Sequence, residues 1–560
     1  ISSQFTKPEN IYAKIDSNDG WFMNRIAVYL NRNIDGVVYS APSILERYST
    51  DRSLLKIHPR IVAVPANAMD VRRLARFSYQ LASKHINLPL TVRGAGYSKT
   101  GSCISSGILI STEKLNLIQE IDTRQRLIRV QAGVTLGELK KALSLHGLDL
   151  PILGDPHETI GGLIARNASA SINTEPKTLL DFIDCAEVVL SDGSLVQFRE
   201  LRKSEFKHKC KQTDLEGSLY WQLNELITKQ VETIKALPSN IFDRSGYSSI
   251  QQVKQKHSYN LLPLLCGSEG TLGIITEVIL RCEPVFEEPN YLGVVCQNAS
   301  SYFKEIAELK NLHFTDMRVY DTELFNETDT TGKSSKFFRH APDDGYLIIA
   351  TAKDDSRRLR KRKLRKLGKV LAKSTRLIIA DKDNLENFTN LEENLSAYLN
   401  DSGPGYHFPV VDGVYIPPAQ QVEYLDGVTK LAADLKLKLA VYGLPEFDTF
   451  TVRPSFTTST SDGRKALIGF LRSYLELVKN CQGYACGEAA EGRFLAMFTR
   501  QSQSTDVLQL YGDIKHIFDP LDVLNPGIKQ EVDARAVLRQ FRIDYNIGIL
   551  PNDWYSADAF

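Results

Sequence analysis

The sequence predicts an α+β protein built from more than one structural unit, and three observations predict it. The chain has 560 residues, more than one hydrophobic core ordinarily organises. From about Tyr48 onward, short β-branched runs alternate with stretches of helical spacing. Between residues 289 and 481 the pattern changes to paired strand-helix-strand units, which suit an antiparallel sheet with helices on one face.

Taken in order, Ile61-Val62-Ala63-Val64 reads as a strand, residues 68–85 as a helix and Leu90-Thr91-Val92 as a second strand. Arg93-Gly94-Ala95-Gly96-Tyr97-Ser98-Lys99-Thr100-Gly101 follows, and Gly107-Ile108-Leu109-Ile110 resumes an extended run with no helix between. A nicotinamide-dinucleotide GxGxxG opens a helix inside a strand-helix-strand unit; this loop does not. Its three glycines allow positive φ and bring consecutive N–H groups together as a concave anion site suited to a pyrophosphate, with Ser98 and Thr100 adding hydroxyls. A plain tight turn is the alternative reading of the loop.

Gln131-Ala132-Gly133-Val134 and residues 135–146 read as a strand, a turn and a helix, with Thr135 and Glu138 spaced as a capping box. A second glycine pair, Gly161-Gly162, stands among small residues between Gly154 and Ser169, where a flat ring can approach the backbone. Gly267-Ser268-Glu269-Gly270-Thr271-Leu272-Gly273 reads as a glycine-rich turn entering the strand Ile274-Ile275-Thr276-Glu277-Val278. Beyond residue 289, strands are expected over 346–352, 376–380, 413–417 and 439–442, with helices over 356–373 and 420–435.

Composition narrows the function classes. Apolar residues are 42%, charged residues 24%, and 68 Lys+Arg oppose 67 Asp+Glu, which excludes a disordered or nucleic-acid-coating chain. The longest apolar runs, 346–352 and 377–380, fall far short of the roughly 20 residues of a membrane span. Ile1-Ser2-Ser3-Gln4 has no basic-then-apolar pattern, so a targeting segment is absent or lies outside these residues. The eight cysteines are scattered with no CxxC, which argues against iron-sulfur and structural zinc sites and suits a reducing, cytoplasmic compartment. A Cys481–Cys486 bridge stays open.

The three glycine-rich segments, in this order and at these separations, resemble the FAD-binding domain of the vanillyl-alcohol oxidase and p-cresol methylhydroxylase superfamily over residues 48–282. Phe518-Asp519-Pro520-Leu521-Asp522-Val523-Leu524-Asn525-Pro526-Gly527-Ile528-Lys529 is similar to the closing motif of its D-lactate dehydrogenase and glycolate oxidase branch. The resemblance implies an α+β architecture: a two-subdomain FAD-binding domain of the p-cresol methylhydroxylase type with an inserted antiparallel-sheet cap domain. It implies FAD with its pyrophosphate against Arg93, Gly94, Ala95, Gly96, Tyr97 and Ser98, its ring system near Pro156, Thr159, Gly161, Gly162 and Asn167, and further contacts from Ile274, Ile275 and Asn525. Covalent branches often carry a histidine in the first loop. Tyr97 stands beside Gly96 here and Cys103 is not in the usual second tether position, so non-covalent FAD is expected.

The chain departs from the branch where the chemistry sits. Leu444 and Thr451 stand where a GHxGDGNxH-like motif places histidines, and Gly487-Glu488-Ala489-Ala490 keeps only the carboxylate of a GEHG turn. One carboxylate is too few for a dedicated metal site, so no metal is expected. Glu488 is the candidate base, needing burial because an unperturbed Glu titrates near about 4.3; a turn-capping role or pairing with Arg493 is the other reading. Tyr320, Tyr415 and Tyr442 are candidate phenols. Arg318, Arg453 and Arg493 are candidates to hold a substrate carboxylate by bidentate hydrogen bonds, with Arg453 preferred because it follows the altered motif. Ala170 and Glu175-Pro176-Lys177 replace the expected glycine and basic-Tyr-Gly turn, and His157 reads more simply as a polar turn residue than as a flavin contact.

Arg357, Arg358, Arg360, Lys361, Arg362, Lys363, Arg365 and Lys366 are eight basic residues in ten, with Leu359, Leu364, Leu367, Val370 and Leu371 at helical spacing. The segment is expected as a solvated cap-helix face or as peripheral contact with an anionic membrane; without an aromatic platform, no nucleic-acid role is expected. The expected units are an N-terminal extension 1–44, an FAD-binding domain 45–288, a substrate or cap domain 289–480, a C-terminal return to the flavin 481–530 and a tail 531–560. The expected function is FAD-dependent oxidation of a small hydroxy acid resembling D-lactate or glycolate, with Arg453 and Arg493 on substrate and Glu488 as base. The alternatives are an alcohol or phenol oxidase of the same superfamily and a flavin-binding protein without turnover.

Overall fold

The computed structural model describes residues 20–542 except 173–174, 239–242, 286–289, 323, 325–344, 354–355, 372–375, 381–387, 389–390, 392–410, 438, 457–459, 489, 501–502 and 531. Residues 1–19 of the expected N-terminal extension, much of the expected tail, and Ala489 lie outside the described residues.

The fold is α+β, with an FAD-binding-type region split over two sheets and a third, larger sheet beside it. The first sheet has the order Val37–Tyr39, Ile61–Val64, Ile108–Ser111, Leu90–Arg93. Its last three strands are parallel. Ile61–Val64 and Ile108–Ser111 are buried at every position, as apolar runs in a parallel sheet covered on both faces should be. The helix Ala68–Ala82 is capped by Asn67, whose side chain accepts from the Asp70 N–H, and buries Val71, Leu74, Ala75, Ser78 and Leu81 at helical spacing.

The second sheet is antiparallel, in the order Leu195–Arg199, Ile183–Val189, Ile274–Arg281, Leu127–Gln131, Ile118–Asp122. The glycine-rich turn 267–273 thus feeds its central strand. Thr135 and Glu138 close both halves of the capping box at 3.0 and 3.3 Å, opening the helix Leu136–Ser144. The glycine pair Gly161-Gly162 proves to lie in a short helix, Ile160–Ala165, capped by Thr159. Ala170 and Glu175-Pro176-Lys177 form the hairpin Ser169–Ile172 with Glu175–Thr178.

The third sheet has seven antiparallel strands in the order Arg376–Ile379, Asn290–Cys296, Tyr346–Ala352, Thr315–Asp321, Leu439–Leu444, Thr449–Pro454, Val411–Tyr415. The helices Ala299–Asn311, Arg357–Val370, Gln421–Leu435 and Ser461–Asn480 share a core with one face of this sheet. Alternation along the strands then decides which residues point elsewhere. Val319, Val441 and Val452 join the helix-side core, so Arg318, Tyr320, Tyr442 and Arg453 face the opposite way. All eight cysteines are free, Cys481 and Cys486 included.

Glu446, in the 3-10 turn Pro445–Phe447 between two cap strands, joins this sheet to the FAD-binding region. Its carboxylate accepts from Ser171 Oγ at 2.7 Å and from the Met317 N–H at 3.2 Å. Burial nevertheless pushes its carboxyl up to about 7. The folded state therefore holds a proton that the unfolded chain releases near 4.5, and stability falls as pH rises from there to about 7. Relative to wild type, Glu446→Gln is expected to gain melting temperature at about pH 8 compared with about pH 5. Melting curves at both pH values check this, and a pH-independent difference between the two proteins would refute it.

Candidate active site

A cavity of about 540 Å³ lies between the glycine-rich loops and the face of the seven-stranded sheet that carries Arg318, Tyr320, Tyr442 and Arg453, within the usual range for a small-molecule site. One wall is main chain. Gly94, Ala95, Gly96, Tyr97 and Ser98 line it together with Pro156, Thr159, Gly161, Gly162, Ile274 and Ile275. The wall is close-fitting: a Cβ on Gly94 would stand 2.1 Å from Thr159 Oγ1, and Gly96 holds φ +78. The N–H groups of Gly94, Ala95 and Gly96 donate to no acceptor among the described residues, whereas the Ser98 N–H is directed at the Cys103 thiol. Such a row of available donors is the anion cradle expected from the sequence, with Lys99 and Arg52 adding positive charge to the same cavity. This donor set and the absence of side chains at Gly94, Gly96, Gly161 and Gly162 fit the pyrophosphate and flat ring system of FAD.

Four of the expected site residues are not on the wall; they hold it from behind. Asn525 Nδ2 donates to the Ser102 carbonyl at 2.9 Å and the Glu269 carbonyl at 2.7 Å, and its Oδ1 accepts from Thr91 Oγ1 at 3.0 Å. One amide thus ties the first and third glycine-rich loops to the sheet. Arg493 donates to Asn525 Oδ1 at 3.2 Å and to the Pro526 carbonyl at 2.6 Å, bracing that amide instead of reaching substrate or Glu488. Arg93 is buried and donates to the Thr50 carbonyl at 2.7 Å. Asn167 adopts φ 50 and accepts from the Leu180 N–H at 3.2 Å. Short polar groups with many bonding directions serve such loop crossings better than they serve a ligand, because buried main-chain groups need partners.

The opposite wall carries the charges. Arg318, Tyr320, Asp412, Tyr442, Leu444, Arg453 and Glu488 face the cavity. Lys99 from the first loop meets Asp412 across it at 2.6 Å, Tyr442 Oη donates to the other carboxylate oxygen at 3.0 Å, and the Arg453 guanidinium stands 5.7 Å from the Tyr442 ring centroid. Burial works to raise the Asp412 carboxyl, but Lys99 and Arg453 outweigh it and hold it at about 2. Glu488 behaves oppositely. Burial first, and then the negative charge of Asp412, push its carboxyl up, with Arg166 and Lys99 opposing. Glu488 is seated against Gly413, where a Cβ would come within 2.2 Å of the Glu488 Cβ, and Arg244 bonds the Gly487 carbonyl just before it. Two neighbouring carboxyls driven apart in this way are suited to different roles, one fixed as an anion and one able to exchange a proton.

Thr451, in a histidine's expected place, accepts the Gly413 N–H at 2.8 Å. No group of three His, Cys, Asp or Glu side chains among the described residues has the spacing to hold a metal. Tyr415 stacks on Tyr484 away from the cavity, and exposed His157 stacks on Tyr97. The residues that sequence reasoning missed are Arg52, Lys99, Arg166 and Asp412. Arg52 lies 3.5 Å over the Tyr97 ring, and Arg166 pairs with Glu158 at 2.9 Å. Lys99 was visible as the sole cation between Gly94 and Gly101; the others had no local signal.

Comparison with known proteins agrees with this geometry. A family described as FAD binding domain matches residues 59–199, and one described as FAD linked oxidases, C-terminal domain, matches residues 287–528. The chain is 24% identical over 518 residues to D-2-hydroxyglutarate dehydrogenase of Pantoea ananatis, covering 88% of this chain and 50% of that protein. It therefore spans about half the length of that relative. It is 24% identical over 503 residues to D-lactate dehydrogenase of Archaeoglobus fulgidus, covering 86% of this chain and 95% of the relative. Among solved structures, 4-ethylphenol oxidase from Gulosibacter chungangensis superposes with a TM-score of 0.67 at 13% identity, covering 93% of this chain and 99% of that one; that likeness speaks to fold alone. The chain is related, at low identity, to FAD-binding oxidoreductases of these kinds.

Proposed function

We propose that this FAD-binding architecture serves a FAD-dependent oxidoreductase that oxidises a small D-2-hydroxy acid. The observation that carries the reading is the juxtaposition of Glu488 and Arg453 on the wall facing the glycine-lined cradle. Bound FAD supplies the two-electron acceptor for a hydride from the substrate carbon. The rest falls to the chain itself. Arg453, with Arg318 two strands away across Leu439–Leu444, holds the substrate carboxylate by charge-assisted hydrogen bonds. Glu488 takes the hydroxyl proton; its raised affinity for protons brings it closer to the range where a general base works at neutral pH. Asp412, kept ionised by Lys99, sustains that affinity.

The FAD is held without a covalent tether in this reading. Cys103 is the cysteine on the cavity wall, and burial together with Asp51 pushes its thiol up to about 12. A thiol that stays protonated is a poor nucleophile. Denaturation in acid is accordingly expected to release all flavin into the supernatant.

Anaerobic mixing with a panel of D-2-hydroxy acids is expected to bleach the yellow flavin absorbance. If no acid bleaches it while dithionite still does, the turnover claim is lost and a non-catalytic flavoprotein is favoured. Bleaching by alcohols or phenols alone favours the oxidase reading.

A further inference from the structure

The helix Arg357–Val370 of the seven-stranded sheet's outer layer is made almost wholly of cations and leucines, with no acidic residue in its 14 positions. The chain as a whole has a net charge of +1, so this helix concentrates positive charge that the remainder balances. Packing sorts its side chains. Arg360, Leu364 and Leu367 are buried. Arg360 donates to Asn290 Oδ1 at 3.1 Å and Lys363 to the His313 carbonyl at 2.6 Å, so these two cations are used inside the fold.

The other seven are not. Arg357, Arg358, Lys361, Arg362, Arg365, Lys366 and Lys369 are all exposed and form no ion pair among the described residues. Their spacing at threes and fours places them on one face, a stripe about 18 Å long at 1.5 Å per residue. Leu359 lies beside the stripe, one turn from Arg362 and two from Lys366, and is 52% exposed; Val370 at the far end is 37% exposed. An exposed leucine next to a continuous row of unpaired cations has no role in the packing of the sheet.

We propose that this helix face docks the protein on an anionic lipid surface, lying parallel to it. Charge complementarity supplies the attraction, since basic residues within a Debye length of an anionic leaflet each add to binding. Leu359 selects lipid over other polyanions, because a bilayer offers an apolar layer just beneath its headgroups and a nucleic acid or an acidic peptide does not. The attachment is peripheral: no helix among the described residues is long and apolar enough to cross a membrane.

The test is co-sedimentation of the full chain with vesicles of phosphatidylcholine alone or with added phosphatidylserine, at low and high salt. The expected result is about tenfold or greater preference for the anionic vesicles, lost at high salt. The variant carrying Lys361→Glu, Arg362→Glu, Arg365→Glu and Lys366→Glu is expected to stay in the supernatant while melting as wild type does. Leu359→Ser, which leaves every charge in place, is expected to weaken vesicle binding several-fold. Equal binding to both vesicle types, or unchanged binding by the fourfold variant, overturns the proposal. So does Leu359→Ser binding as wild type does together with tighter wild-type binding to duplex DNA or polyglutamate than to anionic vesicles.

Discussion

A Glu488→Gln protein is expected to keep its flavin and to reduce it with substrate about 10²- to 10⁴-fold more slowly, the usual worth of a positioned general base. The substitution preserves shape and removes only the ability to accept a proton at the cavity wall. Glu488 touches Gly413 through its Cβ region, and the turn preceding it is held through the Gly487 carbonyl by Arg244, so neither anchor is disturbed. In wild type the rate of flavin reduction should rise with pH as Glu488 loses its proton, because the base must be ionised to act. Asp412→Asn removes the negative neighbour that helps raise Glu488, and should shift that rise to lower pH. The measurement is stopped-flow flavin bleaching across pH. Unchanged rates in Glu488→Gln would remove this carboxylate from the chemistry; an unshifted profile in Asp412→Asn would remove the coupling.

Gly94→Val is expected to yield folded but colourless protein, with flavin content below about a tenth of wild type. The first carbon added at position 94 already falls 2.1 Å from Thr159 Oγ1, far inside contact distance, and Thr159 caps the short helix that carries the glycine pair. The side chain can be accommodated only by moving two cavity walls apart, so the loss should appear in cofactor retention. Gly469→Ala is the control. It sits on an exposed face of the helix Ser461–Asn480 with nothing within 4 Å of a new Cβ, so it should keep its flavin and gain roughly 0.5 to 1 kcal/mol of stability. Flavin-to-protein absorbance ratios and melting curves decide both. A yellow Gly94→Val protein would mean that the cradle lies elsewhere.

The contrast between these two positions shows how far the site can be read from sequence. Gly94 and Gly96 were legible because only glycine tolerates the close approach and positive φ of such a wall. The helix 136–144 was legible because its cap is written within four residues. Asn525 and Arg493 were legible as belonging to the site's neighbourhood, but their jobs were not. Asn525 bonds to residues 423 and 256 positions away, and no local pattern specifies which side of a loop an amide meets. The Lys99–Asp412 pair spans 313 positions, and Asp412 precedes Gly413 with nothing in the sequence to mark it as a partner.

The amino-acid order by itself determined the alternation of elements, the glycine-lined main chain of the cradle and the concentration of charge in one helix, because backbone conformation, burial periodicity and net charge depend on residues within a turn or a strand of one another. Only the tertiary structure decided that Arg453, Tyr442, Asp412 and Glu488 share a wall, that Asn525 and Arg493 stand behind it, and that seven cations of the helix are left facing outward. Those assignments depend on strand register and on which sheet face the helices cover, and register is a property of contacts between segments that are remote in the chain.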